Sequence, residues 1–293
     1  MSRLRVMTLN VGSLLEPDWD RRRHEVVAWL QRVEPDVVCL QETWQDSTTT
    51  NTGGWVIEQL GEPWTWCFGG HAFASSMWPD PTMRFGSVIG SRWPIESFTC
   101  HRLPVVPGAV GMVADVPWEL LHARTAGLDV FSTHLAPAPN DGLHRRRQVV
   151  AIDEIIRESR GAMDQIAGFG QRRPEMPIVL CGDFNAEPDS DEIRYLCGLT
   201  AVDDRTTFFQ DAWRVAGEGP GLTQDWYQAP LAAMLNVHRK RIDYIFVGDP
   251  FLREGDGGRV WTATVVADQP LTGVMASDHF GVVAEISWPG RPS

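Results

Sequence analysis

The stretch Pro177–Glu187, PIVLCGDFNAE, limits what this chain can fold into more than any other. Ile178, Val179, Leu180, Cys181 and Gly182 form a short apolar, partly β-branched run, the signature of a strand buried on both faces. The run ends on Asp183 and Asn185, with Phe184 between them. Strand alternation puts Asp183 and Asn185 on one side of the chain and Phe184 on the other. From this stretch alone two readings stay open. Both residues are common turn formers. A carboxylate and a carboxamide at the tip of a buried strand are equally what a chemical site there would use.

The chain has 293 residues, of which 43% are hydrophobic and 13 are Trp, so it can bury a large core. Its length suits one large domain or two small ones. The Pro and Gly spacing marks no linker, so one domain over 1–293 is expected. No run of about 18 apolar residues occurs, which leaves no transmembrane helix. The opening MSRLRVMTLNV goes straight into a strand pattern, without the apolar segment and cleavage site of a signal peptide. The five Cys are widely spaced with no CxxC, and Cys39 and Cys181 lie in apolar runs. That pattern indicates buried thiols in a reducing compartment rather than a disulfide framework or a zinc site. A cytoplasmic monomer is the expectation. The net charge of −12 weakens the case for non-specific binding of duplex nucleic acid through a basic face. Acidic residues gathered at a metal are neutralised locally, however, so charge alone does not exclude it.

Along the chain, Leu4–Val11 alternates as a first strand, and Asp20–Val33 has the helical stripe Val26, Val27, Leu30 and Val33, stopped by Pro35. Asp36–Gln41 is a second buried strand ending at Glu42. Gly54–Leu60 is a short helix, Thr65–Phe68 a strand, and Gly69–Met83 a loop. Phe85–Gly90 and Ile95–Leu103 read as a pair of strands joined by a turn at Arg92–Pro94, and Ala109–Val116 and Leu128–Leu135 as another pair, the last carrying His134 at its end. Asn140–Arg160 is a helix with Val149, Ile152, Ile155 and Ile156 inward and Arg145, Arg146, Arg147 and Glu154 outward. A short helix follows over Asp189–Cys197. Strands over Arg241–Val247, Val260–Ala267 and Gly281–Ile286 complete the chain. Many strands, few helices and hairpin-like pairs in the middle indicate sheet packed on sheet with helices outside.

Polar residues recur at the strand ends: Asn10, Glu42, His134, Asp183, Asn185, Asp243, Asp278 and His279. Each has a plain structural explanation as a turn former or a satisfied edge group. Asp243, inside RIDYIFV, resists it most, because a carboxylate within a buried strand needs a partner. Taken jointly the structural explanation is poor.

In order, the chain contains TLNV (8–11), LQET (40–43), STHL (132–135), GDFN (182–185), RIDYIF (241–246) and SDHF (277–280). This series resembles the endonuclease/exonuclease/phosphatase superfamily, which includes deoxyribonuclease I, abasic-site endonucleases, neutral sphingomyelinases and inositol-polyphosphate 5-phosphatases. The resemblance spans residues 8 to 280. It implies an α/β fold, the four-layered αββα sandwich of deoxyribonuclease I, with an active site at one edge of two packed sheets. It implies Glu42 as the main metal ligand with Asn10 close to it, and Asp278 completing the site directly or through water. Oxygen donors of this kind suit Mg²⁺ or Mn²⁺. Asp183 matches the residue that orients or deprotonates the attacking water, and Asn185 the one that donates to a phosphate oxygen. Asp243 matches the carboxylate that fixes the tautomer and charge of His279. His134 stands where deoxyribonuclease- and sphingomyelinase-like members have His and abasic endonucleases have Tyr, touching a phosphate oxygen or protonating the leaving group. Arg145, Arg147 and Gln148 resemble the family's helix start and are expected to support the His134 strand.

Phosphoester hydrolysis needs an aligned water, a cation on the non-bridging oxygens and help for the leaving alkoxide, and this residue set supplies each. No GxSxG, HExxH or CxxC pattern competes. The expected substrate is a phosphodiester, small or lipid-linked in preference to nucleic acid, because no basic DNA-gripping loop is recognisable. A nuclease is the alternative. Two other classes stay open: a hydrolase of a non-phosphate bond on the same scaffold, and a binding protein that keeps the fold without catalysis. The 217–240 connection, with Thr223, Trp226, Tyr227 and Asn236, loosely resembles a Thr…Asn loop of sphingomyelinase-like and uncharacterised bacterial members. Aromatics there and at Trp64, Trp66, Phe68, Phe73 and Trp78 are candidates for a substrate wall, although core packing is the commoner use of such residues.

Overall fold

In a computed structural model the described residues are 2–46, 50–73, 82–160, 176–225, 239–248 and 253–292. In chain order the elements are β1 (Arg3–Asn10), α1 (Trp19–Val33), β2 (Val37–Gln45), α2 (Thr52–Glu58), β3 (Thr65–Ala72), β4 (Arg84–Ser91), β5 (Ile95–Arg102), α3 (Met112–Asp115), β6 (Glu119–Thr125) and β7 (Leu128–His134). They continue with α4 (Gly142–Arg160), β8 (Val179–Asp183), α5 (Asp191–Leu196), β9 (Phe209–Asp211), α6 (Ala212–Ala216), β10 (Gln224–Asp225), β11 (Arg239–Lys240), β12 (Asp243–Gly248), β13 (Val260–Val266) and β14 (Gly281–Ser287).

Two six-stranded mixed sheets form, in the orders β13-β14-β1-β2-β4-β3 and β5-β6-β7-β8-β12-β9, with a two-stranded β10-β11 ribbon beside them. Alternation within single strands shows how they stack. In β1, Leu4 and Val6 face the other sheet, and Met7 and Leu9 face α1 and α2. Around β8, Val179 and Cys181 join the inter-sheet core, while Ile178 and Leu180 face α4 and α5. Each central strand therefore buries both faces, and the layers read helix, sheet, sheet, helix, the deoxyribonuclease I-like sandwich. No helix among the described residues is long and apolar enough to cross a membrane.

Several expectations change. Phe85–Gly90 and Ile95–Leu103 do not pair with each other: β4 pairs with β2 and β3 in the first sheet, and β5 crosses to pair with β6 in the second. Ala109–Val116 is not a strand: Gly108 and Gly111 take φ of 79° and 75°, the chain makes the short α3, and the hairpin partner of β7 is Glu119–Thr125. The second strand does not stop at Gln41 but runs through Glu42 to Gln45, and the third extends to Ala72 on its pairing with β4. Arg145 does not face outward; it is buried, and its guanidinium meets Glu192 at 2.6 Å and the carbonyls of Ala136 and Ala138. The oxygen of Gln148 accepts from the Ala136 N–H, so the start of α4 grips the chain just beyond His134. Phe73 packs with Trp44 and Phe85, and Trp64, Trp66 and Phe68 pack with the core beneath α1 and α2, so these four are packing residues. Trp78, Trp226, Tyr227 and Asn236 lie outside the described residues.

Candidate active site

Parallel pairing brings the polar strand ends together. β1 runs parallel to β2 in one sheet and β7 parallel to β8 in the other, so Asn10, His134 and Asp183 arrive at the same end of the sandwich. Within the second sheet Asp183 is the register partner of His134 on one side and of Asp243 on the other. Gly182 makes that close approach possible: it sits at φ 149°, and a Cβ there would lie 2.0 Å from the Thr133 carbonyl oxygen.

Glu42 reaches the same point through an irregularity. The β2–β4 register shifts between Leu40 and Thr43, and Glu42 takes φ 56° within it. A bulge of this kind re-aims a side chain, and a left-handed non-glycine residue is a local strain the surrounding structure must hold. The Asn10 amide nitrogen donates to Glu42 Oε1 and to Asp183 Oδ2, each at 3.0 Å, and so ties the two sheets together. Its oxygen accepts from the Gly12 N–H, which fixes the amide orientation. Asn10 therefore meets the carboxylates with its nitrogen.

Asp183 is 1% exposed and lies between two imidazoles, with His134 Nε2 at 3.6 Å and His279 Nε2 at 3.8 Å from Oδ2. Asn185 lies beyond the end of the strand, where alternation no longer sets direction. Its φ is 49°, its N–H donates to Asp183 Oδ1 at 2.8 Å, and its carboxamide nitrogen donates to the Leu135 carbonyl at 3.0 Å. The turn and the polar tip are thus one structure, in which Asp183 stabilises the turn through one oxygen and faces the site with the other.

His279 Nδ1 meets Asp243 Oδ2 at 3.0 Å in a fully enclosed pair. Burial alone would lower the His279 pKa, but Asp243, Asp278 and Asp183 outweigh it and hold the imidazole charged. Burial lifts Asp243 to about 6, against the pull of His279. His134 is the opposite case: burial lowers its pKa and keeps it neutral. Its ring stands edge-on to Trp118, and its Nδ1 is buried without a hydrogen-bond partner among the described residues.

Two buried or half-buried residues beside the site escaped the sequence reading. Arg22, buried in α1, gives its guanidinium to the carbonyls of Val11, Gly12, Ser13, Glu16, Pro17 and Ala276. It clamps the loop after β1 to the loop that carries Asp278. Glu16, on that first loop, is raised to about 7 by burial and by Asp278. Arg22 sits in the run Arg21–Arg23, which reads as a solvated face, and nothing local marks Glu16. Thr223, already noted in sequence, has a clear place: its hydroxyl accepts from the Ile242 and Asp243 N–H groups, and its carbonyl accepts from the Phe280 N–H.

The donor set fits a hard divalent cation. Glu42, Asp183 and Asp278 converge, and Glu42 is raised to about 8, first by burial and then by Asp278. Among the described residues no Lys or Arg is ion-paired to these carboxylates. Glu42, His134 and Asp183 stand close enough to share one ion, as do Asp183, Asp243 and His279. Concentrated, buried negative charge with raised pKa is what a cation would relieve.

A sequence model of the Endonuclease/Exonuclease/phosphatase family matches residues 7–279. No curated protein matches by sequence. Among solved structures, D. rerio TDP2 complexed with single strand DNA product is similar at TM-score 0.69 and 19% identity, covering 98% of this chain and 100% of that one. Truncated Caenorhabditis elegans TDP2 is similar at TM-score 0.65 and 18% identity, covering 98% of each chain. The human Nocturnin catalytic domain with bound sulfate anion is similar at TM-score 0.65 and 18% identity, covering 97% of this chain and 93% of that one.

Proposed function

This chain belongs to the endonuclease/exonuclease/phosphatase family, whose members are hydrolases acting on phosphoester bonds, and on that premise we propose that it is a Mg²⁺- or Mn²⁺-dependent phosphodiesterase. The observation that carries the reading is the position of Asp183, between neutral His134 and the charged His279–Asp243 pair and bridged to Glu42 through Asn10. In this reading Asp183 orients the attacking water and takes its proton. Asn185 has an amide hydrogen left after its bond to Leu135 and donates it to a phosphate oxygen. His279, held charged by Asp243, stabilises the negative charge that builds on the phosphoryl oxygens. His134 faces two carboxylates through Nε2, which suits the tautomer protonated there, and donates to a phosphate oxygen or to the leaving alkoxide. Glu42 and Asp278 would hold the cation, which when bound polarises the phosphoryl oxygens and stabilises the charge that develops on them. Asn10 keeps Glu42 and Asp183 in register with each other.

The acidic net charge of −12 favours a small or lipid-linked diester. One observation favours a second reading, action on single-stranded nucleic acid: the D. rerio TDP2 structure with a single strand DNA product matches nearly the whole chain in fold. A substrate panel with Mg²⁺ decides between them, using single- and double-stranded DNA, RNA, phospholipids, nucleotides and sugar phosphates. Fastest turnover of a small or lipid diester supports the first reading, and fastest turnover of DNA or RNA replaces it with the second. No cleavage of any phosphoester would overturn both.

A further inference from the structure

Three donors of different chemistry meet at the edge of the sandwich, one of them, Glu119, the register partner of His134. His71 lies on β3, the edge strand of the first sheet, and Cys100 lies on β5, the edge strand of the second. Glu119 opens β6, beside β5. The Cys100 thiol donates to Glu119 Oε2 at 3.1 Å, His71 Nε2 lies 3.5 Å from the sulfur, and His71 Nε2 and Glu119 Oε2 are 3.9 Å apart. A tetrahedral zinc ion, with Zn–S of about 2.3 Å and Zn–N and Zn–O of about 2.0–2.2 Å, spaces its donors about 3.3–3.6 Å apart, close to these separations. We propose that His71, Cys100 and Glu119 form a second cation site, selective for a zinc-class ion, that clasps the edge strands of the two sheets.

The donor types decide the ion. A thiolate and an imidazole select zinc over magnesium, which prefers all-oxygen sites. Glu119 is 3% exposed, and its other oxygen already accepts from the Ser87 N–H, so Oε2 is held towards the cluster. Burial raises both acids, Glu119 to about 8, so one buried thiol proton sits where a cation would serve better. Burial and the nearby Arg102 and Arg84 keep His71 neutral, the form that ligates. On binding, the Cys100 thiol proton and the proton that Glu119 carries below pH about 8 leave to solvent, the sulfur and Glu119 Oε2 bond the ion, and the neutral His71 donates its Nε2 lone pair. The thiolate and carboxylate together balance the divalent charge beside the two guanidiniums. His71 is half-buried, which leaves an entry path and room for a water in the fourth position. The donors are 29 and 19 residues apart in sequence, so no spacing motif announces them.

The test uses the full chain stripped with chelator and titrated with Co²⁺ in excess Mg²⁺. A saturable thiolate-to-cobalt charge-transfer band, displaced by Zn²⁺, is expected. Cys100→Ser should abolish the band while the four other cysteines stay in place. His71→Ala, at a half-buried position, should keep the native circular dichroism and weaken Co²⁺ binding by at least about 10-fold. Zn²⁺ should also raise the Tm of the wild type and not of Cys100→Ser. Absence of the band in wild type, its persistence in Cys100→Ser, or unchanged affinity in His71→Ala would each overturn the proposal.

Discussion

At the scale of the residue, the site works by giving chemically similar groups different environments. His134 and His279 lie on either side of Asp183, yet burial makes the first neutral, and three carboxylates keep the second charged. Removing Asp243 tests this division directly. Asp243→Asn keeps the shape but leaves His279 without its anchoring charge, so kcat should fall by about 10²–10⁴-fold with less change in KM. Retained kcat in a folded variant would remove the pair from the reaction. The residues that touch one another here were the legible ones: Asn10, Glu42, His134 and Asp183 follow strand-like runs that do not need a polar end, Asp243 stands within one, and His279 lies in the loop leading into another. Asn185 was legible as a residue but its turn geometry was not, because period-two alternation assumes the strand continues and it ends at Asp183.

At the scale of the element, the site depends on features that interrupt regular structure. The irregularity in β2 turns Glu42 inward, and Arg22 in α1 holds two loops by their carbonyls. Arg22→Ala would leave several enclosed carbonyls unpaired, at about 1–3 kcal/mol for each one that water cannot reach. Denaturant unfolding should therefore show a loss of at least ~2 kcal/mol, with divalent-dependent activity falling alongside. Neither feature was readable in advance: a bulge depends on the partner strand's register, and a buried Arg among three Arg looks like a solvated one. The false strand at Ala109–Val116 has a related cause, since left-handed Gly108 and Gly111 decide the backbone there over side-chain pattern. The β1–β14 pairing yields a pH prediction. Hydrogen bonds from Arg5 and Arg3 hold the folded Glu285 pKa below its ordinary 4.5. Its contribution is complete above 4.5 and is lost as the pH falls through the lowered folded value. Glu285→Gln should thus be less stable than wild type at neutral pH, by up to about 1 kcal/mol for a partly exposed pair. The two should converge in acid. A gap that widened in acid would reverse the assignment.

At the scale of the whole molecule, the sandwich brings residues from 10 to 279 to one end, while His71, Cys100 and Glu119 gather on the edge strands beside it, Glu119 being the register partner of His134. Sheet packed on sheet was legible because the chain has many strands, few helices and hairpin-like pairs in the middle, and the four-layer order followed from the motif resemblance. What the phosphate carries was not legible, since the motifs report the water and phosphate machinery and substrate choice lies with the loops around it. The most direct measurement is hydrolysis of a generic phosphodiester by chelator-treated protein, with and without added Mg²⁺ or Mn²⁺, beside Asp183→Asn under the same conditions. The structure leads us to expect no turnover until the metal is restored, and turnover about 10²–10⁴-fold lower in the variant. Full activity in chelator, or equal activity in Asp183→Asn, would contradict it.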